Sequence, residues 1–233
     1  MLIKPDLKDE KIIACLRNAY GLTVEKIAFL PLGADFNTAV YRVITTDGAE
    51  DYFLKLRRGE FLEASVSVPK YLADMGIKQV IPPLVTKTGQ LWTSLASFKA
   101  ILYPYVEGRN GVDTNLSEDH WAQFGAAIKR LHNTDIPALI TKDVPQETFS
   151  SQWRETVKAF LVRIENEIFE EPVAIKMALF LKSKSSEILK LVERAEELAI
   201  TIQKQPLTYV LCHADMHGWN LIIDKENALY IVD

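Results

Sequence analysis

The sequence predicts an α+β fold in two lobes: an antiparallel five-stranded sheet carrying one helix, followed by a mostly helical lobe. Three observations predict it. Short apolar and β-branched runs separated by hairpin turns fill residues 24–106. Tyr103-Pro-Tyr-Val-Glu-Gly108 breaks that pattern with a proline and a glycine. From Ser117 to Gln205 the apolar residues recur at helical spacing. The division expected is residues 1–103 for the first lobe, 104–112 for a hinge and 113–233 for the second.

Taken in order, Asp6 is placed to cap a helix over Leu7–Tyr20, with Ile12, Ile13 and Leu16 on one face and Gly21 ending it. Strands are expected at Val24–Leu30, Ala39–Thr45, Tyr52–Leu56, Leu91–Leu95 and Phe98–Tyr103. Thr46-Asp-Gly48 and Lys87-Thr-Gly-Gln90 supply turns between them. One helix, from about Phe61 to Met75, interrupts and closes at Gly76. In the second lobe Ser117 caps a helix to His132, with Trp121, Phe124, Ile128 and Leu131 spaced for burial. Further helices are expected at Ser151–Ile168, Val173–Lys182 and Ser183–Gln203. Thr208–Cys212 reads as a buried strand with Cys212 inside it. Leu221–Ile223 and Ala228–Val232 form a last hairpin around the polar turn Asp224-Lys-Glu-Asn227.

Bulk properties narrow the function. With 233 residues, 48% hydrophobic and 25% charged, the chain has ordinary globular values and enough length for real cores. A net charge of −4 argues against a general nucleic-acid binder, which needs a basic surface to neutralise phosphates. Two cysteines, Cys15 and Cys212, make no disulfide framework. No signal-peptide run and no membrane-length apolar stretch is read, so the expected location is the cytoplasm, without membrane or nucleic-acid partners. Oligomeric state is not legible.

The chemistry concentrates at His213-Ala-Asp215-Met-His217-Gly-Trp-Asn220, followed by Tyr230-Ile-Val-Asp233. In the phosphoryl-transfer template a loop Asp accepts the proton of the acceptor hydroxyl. An Asn five residues on holds one Mg²⁺, and a later Asp holds the bridging one. Asp215, Asn220 and Asp233 fill those places. A rival reading has His213, Asp215 and His217 alternating around zinc or iron, although nothing else in the chain completes such a site. In the first lobe Lys55 interrupts the apolar strand Tyr52-Phe-Leu-Lys-Leu. A lysine there is costly unless paired or lining a cleft, so it is expected to grip nucleotide phosphates. Its carboxylate partner would be Glu63, with Glu60 as the alternative. Leu32-Gly33-Ala-Asp35-Phe-Asn37 is a thin phosphate-covering loop, with one glycine where several are usual.

With these residues in place the chain resembles the aminoglycoside phosphotransferase family of small-molecule kinases, whose fold is a protein-kinase-like pair of lobes. His217 stands where protein kinases carry Lys, the Asp233 segment reads Ile-Val-Asp, and Leu131-His132 closes a long helix as in that family. Gly33-Ala-Asp35-x-Asn37, the Lys55 strand, Tyr103-Pro104 and Tyr209-Val-Leu-Cys-His213 are most similar to its spectinomycin-phosphorylating branch. The resemblance implies ATP and Mg²⁺ as cofactors and the hydroxyl of a small molecule, such as an aminoglycoside or aminocyclitol, as acceptor. It implies Asp215 as the catalytic residue and Asn220 and Asp233 as metal ligands. Nucleotide binding would fall to Lys55, Glu63, Asp35 and Asn37, with the Pro104 carbonyl and Val106 N–H on the adenine edge. His213 would brace the loop. Family members continue past the metal-binding Asp, so the helical lobe is expected to be incomplete and the chain truncated, with nucleotide binding surviving better than transfer. A metabolic kinase for choline, homoserine or a sugar, or a remnant that only binds nucleotide, are the alternatives.

Overall fold

The computed structural model describes residues 3–33, 35–46, 48 and 50–232. They divide into two units, one of residues 1–144 with 210–233 and one of residues 145–209. Ala34, Asp47 and Asp233 lie outside the described residues, so part of the Gly33 loop, part of the Thr46–Gly48 turn and the expected second metal ligand are not placed.

In the first unit, α1 (Asp9–Tyr20) precedes three strands, β1 (Val24–Leu30), β2 (Thr38–Thr45) and β3 (Asp51–Arg58). After α2 (Ala64–Asp74) come β4 (Thr93–Leu95) and β5 (Phe98–Pro104). They make the expected antiparallel five-stranded sheet in the order β1-β2-β3-β5-β4. Alternation builds its core: Ala39, Tyr41, Val43, Leu54, Leu56, Ala100 and Leu102 point to one face and meet Ile12 and Leu16 of α1. Burying each valine, leucine or isoleucine among them contributes about 1.5–3 kcal/mol. Gly21, at φ +80°, ends α1 by donating its N–H to the Arg17 carbonyl, as expected. The helix starts at Asp9, not Leu7, because the Leu7 N–H turns back to the Pro5 carbonyl (2.8 Å) and Lys8 stands at the cap position.

The second half of this unit opens with β6 (Gly108–Asn110), a strand that sequence periodicity missed. It pairs with β7 (Leu221–Asp224), which pairs with β8 (Leu229–Ile231). The turn between β7 and β8 is tied by Asp224 Oδ1, which accepts from the N–H groups of Glu226 and Ala228. The helix α3 (Glu118–Asn133) is capped by Ser117, as expected, with His120 completing the capping box in place of an acid. Leu221, Ile223, Leu229 and Ile231 pack on Ala127, Phe124 and Ile128 of α3. Trp121, expected to be buried, is 54% exposed and instead sets its ring edge-on against Phe124 at 6.2 Å. A third core of Ala64, Val68, Leu72 and Ile77 takes in Leu131, Leu211 and Ile140, the last from the short α4 (Ala138–Thr141).

Thr208–Cys212 is not a strand: with no partner strand to pair with among the described residues it runs as a loop, leaving Val210 and Cys212 exposed. In the second unit α5 (Gln152–Asn166) packs through Leu161 and Ile164 on Ala178 of the helix that follows. Here the expected pair of helices is one, α6 (Pro172–Gln203) of 32 residues. The Ser-rich stretch at 183–186 contains neither Gly nor Pro, and Ser183 Oγ folds back onto the Phe180 carbonyl (2.6 Å), so nothing breaks the helix.

Candidate active site

The loop after residue 212 is built to present Asp215. Ala214 takes φ +66°, a left-handed turn that swings the chain out, and Gly218–Asn220 form a single 3₁₀ turn that returns it to β7. Asn220 is buried and holds the loop from beneath. Its Nδ2 donates to the Asp215 carbonyl (2.9 Å) and also reaches Asp215 Oδ2 (3.3 Å). Its backbone carbonyl accepts from Val232 N–H (3.0 Å), the residue before Asp233. The side-chain oxygens of Asp215 and Asn220 are hard donors of the kind Mg²⁺ takes, and the Asn220 amide is oriented with its nitrogen toward Asp215. Asp215 is 72% exposed on its side chain, with His217 Nε2 3.5 Å from its Oδ1. His213 Nε2 lies 3.3 Å from the Val232 carbonyl, which suits the bracing role expected of it. Among the described residues no three His, Cys, Asp or Glu side chains gather as a metal-ligand set.

The loop is fixed by close backbone approach. Gly111 N–H donates to the carbonyls of Gly218 (2.8 Å) and Leu221 (3.0 Å). A Cβ on Gly218 would stand 2.9 Å from Val112 Cγ2 and 3.1 Å from the Val112 backbone nitrogen, so the approach is tight for any residue larger than glycine. From the far side Ile231 N–H donates to the Gln79 carbonyl (2.7 Å), tying β8 to the segment after α2. Thr114, Leu116, Trp121, Phe124, Met216 and His217 line a cavity of about 360 Å³ beside the loop.

On the sheet, Lys55 sits on the central strand, in register with Val40 of β2 and Ile101 of β5. Leu54 and Leu56 point into the α1 core, so Lys55 lies on the opposite face, half-buried beside two buried aliphatic residues. Glu63 stands at the start of α2, where its carboxylate accepts from the Trp92 indole N–H at 2.9 and 3.1 Å. Trp92 in turn packs edge-on to Phe61 (5.5 Å) and lies under Lys99 Nζ (3.8 Å). Nothing in the sequence signalled Trp92, because its partners come from two separate segments, Phe61 and Glu63 before α2 and Lys99 on β5.

In the loop between β1 and β2 Asp35 bonds its near neighbours. Its Oδ1 accepts from Asn37 N–H (2.8 Å) and its Oδ2 from Thr38 Oγ1 (2.6 Å). The Thr38 hydroxyl first, then the Asn37 N–H, hold its carboxyl below the usual aspartate range. The Asn37 carbonyl accepts from Arg58 N–H (2.9 Å), anchoring the loop to β3. At the segment expected to be a hinge, Pro104 ends β5 opposite Tyr52, and Tyr105 N–H donates to the Asp51 carbonyl (3.0 Å). Arg42, which sequence reasoning missed, clamps this turn. It bonds Asp51 (2.6 Å) and Glu107 (2.8 Å) and lies 4.3 Å over the Tyr105 ring. The hydrogen bond to Asp51 is the main reason its guanidinium is held even more firmly protonated than usual.

Comparison with known proteins decides the family. The model of the phosphotransferase enzyme family matches residues 28–233. The chain belongs to that family. Its structure superposes on that of a spectinomycin phosphotransferase in complex with ADP and spectinomycin at TM-score 0.87 and 32% identity, over 98% of this chain and 69% of that one. An AMP-bound complex of spectinomycin phosphotransferase gives TM-score 0.83 and 30% identity over 97% and 69%. An aminoglycoside phosphotransferase from Alicyclobacillus acidocaldarius shares the fold at TM-score 0.60 and 14% identity, over 99% and 67%. No curated protein sequence matches the chain. The family and the nucleotide-bound neighbours make this member a kinase-type phosphotransferase with the protein-kinase-like fold. Among the described residues no helix is long and apolar enough to cross a membrane.

Proposed function

We propose that this phosphotransferase moves the γ-phosphoryl group of ATP to a hydroxyl of an aminocyclitol or aminoglycoside, spectinomycin being the leading acceptor. The observation that carries the reading is the Asp215–Asn220 unit, an exposed carboxylate fixed by a buried amide. It stands in a chain 32% identical to a spectinomycin phosphotransferase complexed with ADP and spectinomycin. In this reading Asp215 orients the acceptor hydroxyl and takes its proton as the oxygen attacks phosphorus. An exposed aspartate suits that role, since it is within reach of solvent-borne substrate. Asn220 and Asp233 would supply the oxygen donors that hold Mg²⁺, which neutralises the charge of the triphosphate when bound. Lys55 holds the phosphates from the sheet. Glu63 supports it once freed from Trp92, and Asp35 with Asn37 shapes the covering loop. The Pro104 carbonyl and Val106 N–H meet the adenine edge. Catalysis is then positioning and charge neutralisation with little covalent work by the protein.

Mass spectrometry of spectinomycin incubated with the chain, ATP and Mg²⁺ tests this. The expected product carries one added phosphoryl group. ATP binding with no aminocyclitol or aminoglycoside modified would remove the acceptor assignment, and failure to bind ATP would remove the whole reading.

A further inference from the structure

Arg57 is a half-buried cation on the sheet face that carries Lys55, and among the described residues no carboxylate stands within ion-pair distance of it. Strand alternation sends Leu54 and Leu56 of β3 into the α1 core and leaves Lys55 and Arg57 on the opposite face. Arg57 is in register with Thr38 of β2 and Lys99 of β5, so its cross-strand neighbours are a hydroxyl and a second cation. Like charges directly opposite one another cost a sheet stability. Acidic side chains of the adjoining segments bond other groups: Asp35 accepts from Asn37 N–H and Thr38 Oγ1, and Glu63 from the Trp92 indole N–H. Glu60 meets Arg57 through its backbone carbonyl, 3.3 Å from Nε. That bond uses one donor of a planar fork of five, and the Nη nitrogens make no hydrogen bond among the described residues.

We infer that Arg57 is a second phosphate-binding cation, meeting the terminal phosphate of the nucleotide beyond the phosphate that Lys55 is proposed to hold. The inference rests on the nucleotide reading given under the proposed function. The order of residues along β3 selects the terminal phosphate. Tyr52 lies opposite Pro104, whose carbonyl is the proposed contact of the adenine edge. Lys55 follows three residues on, and Arg57 stands two residues beyond it, about 6.8 Å further along the strand. Base, inner phosphate and outer phosphate come in the same order. The loop proposed to cover the phosphates ends at Thr38, directly opposite Arg57, so loop and cation share one row of the sheet. The Arg57 charge also helps to hold the Asp35 carboxyl low, after the Thr38 hydroxyl and the Asn37 N–H, which puts it within electrostatic reach of that loop. A guanidinium fork matches phosphate oxygens in pairs. A bound phosphate would supply the negative charge that the opposed Arg57 and Lys99 lack.

Calorimetric titration of AMP, ADP and ATP, each with Mg²⁺, into the whole chain and into Arg57→Gln tests it. The expected result is a loss of about tenfold or more in ATP affinity, a smaller loss for ADP and none for AMP, because the deleted donors face the end of the polyphosphate. Arg57→Lys keeps the charge without the fork and should recover part of the ATP affinity. Equal losses for all three nucleotides would make Arg57 a support of the turn at Glu60 and overturn the inference. An ATP affinity unchanged in Arg57→Gln would overturn it too. Both of those patterns leave the nucleotide reading standing, whereas an unaltered chain that binds none of the three would overturn that reading and the inference together.

Discussion

Replacing Gly108 by Ala tests whether the β6–β7 contact sets the position of the Asp215 loop. Gly108 pairs with Asp224, and a Cβ added there would stand 2.5 Å from the Ile223 carbonyl oxygen and 2.6 Å from Ile222 Cγ2. Ordinary contact begins near about 3.5 Å, so the strands must part by roughly 1 Å. The nearer obstacle is backbone and cannot rotate away. The cost therefore belongs in the upper half of the about 1–3 kcal/mol that overpacking carries. Gly125 is the internal control. It lies inside α3 with nothing within 4 Å of an added methyl, so Gly125→Ala should stabilise by about 0.5–1 kcal/mol through helix propensity alone. Urea unfolding followed by circular dichroism and tryptophan fluorescence reads both. At a slope of about 2 kcal/mol per molar the Gly108→Ala midpoint falls by roughly 1 M while that of Gly125→Ala rises. Because Leu221 follows Asn220 directly, phosphoryl transfer should fall further in Gly108→Ala than ATP affinity does. An unchanged midpoint with unchanged transfer would refute the claim that close approach at Gly108 positions the loop.

Three further outcomes follow from the site. Asn220→Ala strips the Asp215 carbonyl of its partner in a buried setting, which should cost about 1–3 kcal/mol in urea unfolding and suppress transfer more than ATP binding. Because the Asp35 carboxyl is held below its usual range, its contribution to stability is fully present above the ordinary aspartate value and is lost as pH falls through the lowered one. Thr38→Val removes the larger cause, so the Asp35 titration followed by carbon NMR should move up and the acid-side loss should begin at higher pH; an unmoved titration would contradict the loop geometry. Arg42→Gln should weaken ATP binding several-fold in calorimetry by loosening the 104–107 turn, with only a small change in unfolding because the ion pairs are partly exposed.

The sheet was legible because its alternation is clean: Leu54 and Leu56 face a core and Lys55 does not, so strand and cation were read from one pentapeptide. Ser117 and Gly21 marked helix ends for local reasons that survive any tertiary context. What was misread depended on partners. Thr208–Cys212 has strand composition, but a strand exists only where another lies beside it. The strand β6 is three residues beginning with glycine and is defined wholly by β7, more than 100 positions away. The polar middle of α6 resembled a break, yet serines on a solvent face leave a helix intact. In the site, Asp215 and Asn220 could be named from spacing because their contact is local. Arg42 and Trp92 could not, since each joins segments that only the folded sheet assembles.

The most direct measurement is single-turnover transfer from ATP to spectinomycin by the chain and by Asp215→Asn, with ATP affinity taken from calorimetry on the same samples. The expected result is an unchanged affinity with a rate lower by about 10²–10⁴, the range a lost general base carries. Equal rates from the two proteins would show that Asp215 does not take the hydroxyl proton, and the assignment of the loop would fall with it.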